Sequence, residues 1–155
     1  MDVVVHFLVY GLFGWCAEIV WTALYDAVTG TRRAAGDSVE RVPATRAERL
    51  RLQGHTYLWM FPIYGAGGLA FERAYAAIAA WPWIARGVVY AAGAFAVEAA
   101  TGFLLRRLTG RCPWDYSYAR ASALGGLIRL DYTPVWFAFG FALERVHALI
   151  VALHP

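Results

Sequence analysis

The chain has 155 residues, 60% of them hydrophobic and 16% charged, with a mean hydropathy of +0.46 and a formal net charge of +3. Ordinary soluble domains carry roughly 25% charged residues, so this composition excludes one and points to an all-α integral membrane protein of a single domain, residues 1–155. The basic excess does not point to nucleic acid: all fourteen basic residues are arginines, they fall between apolar runs, and no recognition module is visible.

The first apolar run, residues 3–27, exceeds the roughly 20 helical residues that cross a hydrocarbon core. Asp2 stands where a signal peptide carries its basic region, and the run is too long for the apolar stretch of one, so this helix is expected to be retained. Residues 28–55 form an Arg-rich connection with Arg32, Arg33, Arg41, Arg46, Arg49 and Arg51. Within it, Thr45 and Glu48 have the spacing of a capping box, and ERLRLQG ends on Gly54, a helix stop. A short basic helix laying Leu50 and Leu52 on the membrane surface fits this pattern; a solvated loop whose arginines only set topology fits it equally.

Residues 56–80 and 83–107 are the second and third spans. After them comes TGRCPWDYS, with Cys112, Pro113, Trp114, Asp115 and Tyr116, then LGGLIRLDYTPVW. Pro113 sets a turn, Asp115 can accept from backbone amides two residues on, and Trp114 and Tyr116 suit a membrane interface. The double glycine lets the chain dip back only where protein shields its backbone from lipid, and an interface anchor is the safer reading. Residues 134–153 complete a four-helix transmembrane bundle. Cys16 and Cys112 have neither disulfide-framework nor metal-ligand spacing and are expected to be free thiols.

The connection after the third span adds Arg106, Arg107, Arg111, Arg120 and Arg129, whereas the opposite side has only Arg73, Arg86 and Arg145 near helix ends. The positive-inside rule therefore puts both long connections in the cytoplasm and both termini outside.

Each span carries the same spaced motif: aromatic, three residues, small residue, three residues, glutamate. Its members are Tyr10, Gly14 and Glu18; Tyr64, Gly68 and Glu72; Tyr90, Ala94 and Glu98; and Trp136, Gly140 and Glu144. At about 100° per residue the three positions share one helix face. Small residues let helix backbones approach in lipid, so that face should point into the bundle and carry the glutamate with it. One carboxylate at mid-membrane costs on the order of 2.5 to 3.5 kcal/mol, and four would cost roughly 10. They must be protonated, paired or hydrated. Glu18, Glu72 and Glu98 lie about fifteen residues into their spans, roughly 23 Å along an axis rising 1.5 Å per residue. Alternating helix direction then puts Glu18 and Glu98 toward the cytoplasm and Glu72 toward the outside, with Glu144 nearer the middle, a staggered ladder. The candidate pairing partners are Arg73, Arg129 and Arg145. His6 and His147 could extend the polar track, but an interfacial position is favoured because both lie near helix ends.

TGFLLRRLTGRCPWDYS, GLIRLDYTPVWFAFGFALE, YLWMFPIYG and GWCAEIVWTA together resemble the transmembrane protein 229 family of animals and the bacterial group named putative ABC-transporter type IV, or CmpB-like. The resemblance covers nearly the whole chain except residues 29–53. It implies a small multi-pass membrane protein, and it brings neither a substrate nor catalytic residues.

Three functions compete. A glutamate ladder with Tyr10, Tyr64 and Tyr90 suits proton or cation handling in a small transporter or permease component. Such a short chain would work as a homo-oligomer or beside other transporter subunits, and it has no phosphate-binding glycine loop of an ATPase. Alternatively, buried Glu–Arg pairs specify helix packing in a structural or accessory protein. An intramembrane enzyme is disfavoured, since no nucleophile or metal cluster accompanies the carboxylates. No cofactor or metal is expected, and the surrounding partner is the lipid bilayer.

Overall fold

The computed structural model describes residues 3–34 and 41–153. Four long helices dominate it: α1 (Val3–Thr29), α3 (Met60–Ile78), α4 (Trp83–Thr109) and α5 (Thr133–Leu153), with α2 (Arg46–Leu50) a short surface helix between α1 and α3. Prolines sit only where a helix tolerates them: Pro62 and Pro134 in first turns and Pro82 at the cap of α4. The four apolar runs each hold one of these helices, and α3 begins at Met60 after a turn at residues 58–59.

Three stretches are long and apolar enough to cross a membrane: Val3–Thr29, Trp83–Thr109 and Leu130–Leu153. Their outer faces carry Leu8, Leu12, Val20, Val88, Phe103 and Leu149, all exposed. On a soluble surface such a coat would be an aggregation liability, whereas against lipid it is the ordinary solvent contact. The chain is a membrane protein. The 19-residue α3 is shorter and interrupted by Glu72 and Arg73.

The molecule is two helical hairpins of one plan. α1 and α4 are both 27 residues long, and both end on a threonine followed by a glycine of positive φ, Gly30 at 68° and Gly110 at 78°. In each, the glycine N–H closes the last turn, on Asp26 O at 3.1 Å and on Arg106 O at 3.0 Å. A two-stranded antiparallel ribbon follows in both hairpins: β1 (Thr31–Arg33) with β2 (Arg41–Pro43), and β3 (Ser122–Ala123) with β4 (Ile128–Arg129). The return helix then packs along the first, α3 on α1 and α5 on α4.

The packing is ring into notch. The Tyr10 ring occupies the space a side chain on Gly68 would need, Tyr64 does the same at Gly14, and Tyr90 at Gly140. One further contact is reversed between hairpins: Phe7 of α1 fills the notch of Gly65 on α3, whereas Phe137 of α5 fills the notch of Gly87 on α4. Phe71, Ile78 and Tyr90 form a small buried cluster that joins the hairpins, with Tyr75, Val89, Phe141 and Leu143 around it.

Both connections make the local bonds expected of them and differ in the path around those bonds. The capping box forms, with Thr45 and Glu48 bonded reciprocally, but α2 stops at Leu50 and Leu52 takes a φ of 48°, so no basic helix runs on to Gly54. The second connection is tied inward. Trp114 donates its indole N–H to Leu127 O at 3.1 Å, Asp115 accepts from Ser117 N at 2.8 Å, and the Tyr116 N–H reaches Gly126 O at 2.9 Å. Gly126 holds a φ of 86° with Asp115 against it, which is the bend that buries Leu127 and Ile128. Both cysteines are free.

Candidate functional site

The notch packing determines where each motif glutamate points. An aromatic ring seated on a glycine reaches one turn further along the partner helix, to the glutamate four residues beyond that glycine. Tyr10 therefore donates to Glu72 at 3.0 Å and Tyr90 to Glu144 at 2.6 Å. By the same geometry the Tyr64 hydroxyl lies beside Glu18, and the Trp136 indole lies beside Glu98.

Two of the four carboxylates meet basic side chains. Glu72 Oε1 is met by His6 Nδ1 at 2.5 Å and His147 Nδ1 at 3.1 Å, and His147 also contacts the Tyr10 hydroxyl at 3.2 Å. Glu144 is met by Arg86, whose Nε lies 3.1 Å from Oε1 at an angle too oblique for a hydrogen bond and whose Nη2 reaches Oε2 at 3.4 Å. His6 and Arg86 each lie one turn before the tyrosine of their motif, so the same helix face brings both to the carboxylate.

The partners expected from sequence differ. Arg73 and Arg145 are exposed and make no ion pair among the described residues, because a residue next to an inward glutamate projects about 100° away from it. Arg129 pairs with Asp131 at 2.7 Å and lies over the rings of Tyr132 and Tyr25, at 4.5 and 5.5 Å from their centroids. His6 is buried at 3% exposure and His147 is part-buried, both against Glu72. The signal available in the sequence was the shared position of His6 and Arg86, one turn ahead of Tyr10 and Tyr90.

Glu18 and Glu98, at corresponding positions of α1 and α4, meet no cation among the described residues. Glu98 Oε1 accepts from Tyr116 at 3.1 Å, while its Oε2 and the Trp136 indole nitrogen are both buried without a hydrogen bond. Glu18 Oε2 is likewise buried and unbonded, with the Thr56 hydroxyl beside it also unbonded. Tyr116 and Thr56 come from the connections, and no helical periodicity points to them.

Both glutamates line a cavity of about 690 Å³ between the hairpins, walled by Trp21, Tyr25, Tyr64, Phe71, Trp136 and Phe139 among others. At the end nearest the connections stand Asp26, Arg33, Arg41, His55 and Tyr57. These groups engage one another: Arg41 pairs with Asp26 and lies over Tyr25 at 4.9 Å, and Arg33 donates to the Tyr57 hydroxyl. Burial, then the Arg33 charge, hold the His55 imidazole below its ordinary range, and burial pushes the Tyr116 hydroxyl well above its own. Of the loop motif, Tyr116 reaches a glutamate directly, Trp114 and Asp115 shape the loop that carries it, and Pro113 is half-buried. Cys112 packs on Gly102, and burial raises its thiol, which makes it a weak nucleophile.

The sequence model of the family described as putative ABC-transporter type IV matches residues 5–154. The chain belongs to that family. No solved structure matches it. In this type IV family member the match spans both hairpins, so all four motif glutamates, the histidines and the CPWDYS loop lie inside the family's own region.

Proposed function

We propose that this protein is a four-span transporter or permease component, not an enzyme, that handles protons or cations at Glu18 and Glu98. The observation that carries the reading is the division among the glutamates: Glu72 and Glu144 meet histidine or arginine side chains, while Glu18 and Glu98 line a cavity and pair with neither among the described residues. Ionisable groups inside a membrane that are left without a counter-charge and open to a cavity are the usual marks of an ion or solute route. In this reading α3 is the fourth span, its Glu72 accommodated by His6, His147 and Tyr10 and its Arg73 by a long side chain that reaches toward the interface from five residues before the helix end. Both Arg-rich connections then lie in the cytoplasm and both termini outside. The chain acts as a homo-oligomer or beside other transporter subunits, and it supplies no nucleotide-binding loop of its own.

The structural alternative accounts for the other two glutamates. Glu72 and Glu144 tie α1 to α3 and α4 to α5 through the Tyr10 and Tyr90 hydroxyls, and their task is to specify helix pairing. The test is flux in reconstituted vesicles under imposed proton and monovalent-cation gradients. The native protein should dissipate at least one gradient, and Glu98→Gln or Glu18→Gln should lower that flux by roughly tenfold or more with folded yield retained. Glu144→Gln should instead lower the folded yield. No flux from well-folded native protein under any gradient would sink the transport reading.

A further inference from the structure

The chemistry of the cavity names a class of ligand more narrowly than a cation. A proton or bare metal ion needs a few oxygens and little space. This cavity offers about 690 Å³, in the range of roughly 300 to 1,000 Å³ that holds drug-sized molecules, and most of its wall is aromatic or aliphatic. Filling it with water alone would set that water against Trp21, Tyr64, Phe71, Trp136 and Phe139, where it finds few hydrogen-bonding partners.

The charged groups that line it come from different parts of the fold, the two motif carboxylates from α1 and α4 and the positive groups from the connection after α1. Glu18 and Glu98 enter from opposite hairpins, each with one carboxylate oxygen buried and unbonded. The arginines of the same cavity, Arg33 and Arg41, come from the connection after α1, where Tyr57 and Asp26 engage them. A ligand seated between α1 and α4 at these two residues therefore meets two carboxylates and the rings of Tyr64 and Trp136, both of which favour positive charge.

We infer that the cavity between the two hairpins binds a lipophilic organic monocation, with its charged centre between Glu18 and Glu98 and its apolar body against the aromatic wall. The inference rests on the transport reading's assignment of these two glutamates and adds the ligand class. A hydrophilic inorganic cation would leave the aromatic wall unused, and a neutral apolar ligand would leave both carboxylates uncompensated.

Tetraphenylphosphonium and tetraphenylborate have nearly the same shape and opposite charge, so they isolate the electrostatic part of recognition. Equilibrium dialysis of the purified full chain in detergent against labelled tetraphenylphosphonium should give saturable binding near one per chain. Labelled tetraphenylborate, dialysed in a separate cell because the two ions precipitate together, should show no saturable binding. Glu18→Gln and Glu98→Gln should each weaken binding by about tenfold or more, and Trp136→Leu by several-fold. Because a glutamate variant could fail to fold, the comparison of the two ions on the native protein is decisive alone. Equal binding of both ions, or no saturable phosphonium binding, overturns the inference. Glu98-dependent flux of protons without phosphonium binding would sink it and leave the transport reading standing. Glutamate-dependent phosphonium binding without flux of any cation would support it and remove the transport reading.

Discussion

A residue's neighbours one turn away decide whether a membrane glutamate becomes a contact or a site. Glu72 and Glu144 each find a basic side chain because His6 and Arg86 precede a tyrosine that already reaches the same carboxylate. The position and geometry are shared while the chemistry differs, since histidine can lose its charge near neutral pH and arginine cannot. Among groups outside the spans, His55 gives the clearest pH expectation. Its folded value lies below that of the unfolded chain, about 6.5, so the unfolded state takes up the proton first. Stability at this site is complete above about pH 6.5 and is lost as pH falls through the lower folded value. Thermal melts in detergent, followed by tryptophan fluorescence between pH 7.5 and 5, should show a loss on acidification that is smaller in His55→Asn. An unchanged slope in that variant would show that His55 does not titrate with folding.

At the scale of the helix pair, the glycine of three of the motifs matters more than its apolar neighbours. Gly68→Ala and Gly140→Ala drive a methyl into the rings of Tyr10 and Tyr90, and over-packing of this kind costs about 1 to 3 kcal/mol. Gly93 is also in a helix but has nothing within 4 Å of an added Cβ, so Gly93→Ala should be neutral or gain roughly 0.5 to 1 kcal/mol from helix propensity. Unfolding in mixed micelles would measure all three, and equal losses would mean the notches carry no special packing. This scale also shows what was readable in advance. The helices and the aromatic-small-glutamate stripe are local patterns, and a sequence displays local patterns directly. Pairing is not local. Arg73 and Arg145 looked suitable because they sit beside glutamates, yet adjacency on a helix puts a side chain on another face, whereas Arg86 looked remote and is in contact. Thr56 and Tyr116 reach the site from turns whose path depends on conformations such as that of Gly126, which no periodicity encodes.

For the whole molecule, the number of crossings fixes which ends share a compartment. If α3 crosses, the two Arg-rich connections lie on one side; if it lies on the surface, they lie on opposite sides. A cysteine placed at exposed Arg51, in a chain with Cys16 replaced by alanine, can be compared with native Cys112 using a membrane-impermeant maleimide on intact cells and inverted vesicles. Both positions should react only in inverted vesicles, with Cys112 slower at pH 7 and accelerating as pH rises, because burial disfavours its thiolate. Reaction of the two positions from opposite sides would remove α3 as a span and the four-span reading with it.

The reversed contact between the hairpins bears on how such a chain assembles. Two halves built on one plan invite mispairing, with the first helix of one half accepting the return helix of the other. Here α1 presents the ring of Phe7 and α5 the ring of Phe137, while α3 and α4 present the gaps of Gly65 and Gly87. Crossing the partners would set ring against ring in one pair and leave gap against gap in the other. A single exchange of large for small thus works as a lock-and-key index, telling each helix which neighbour is its own while the bundle is still being threaded into the bilayer.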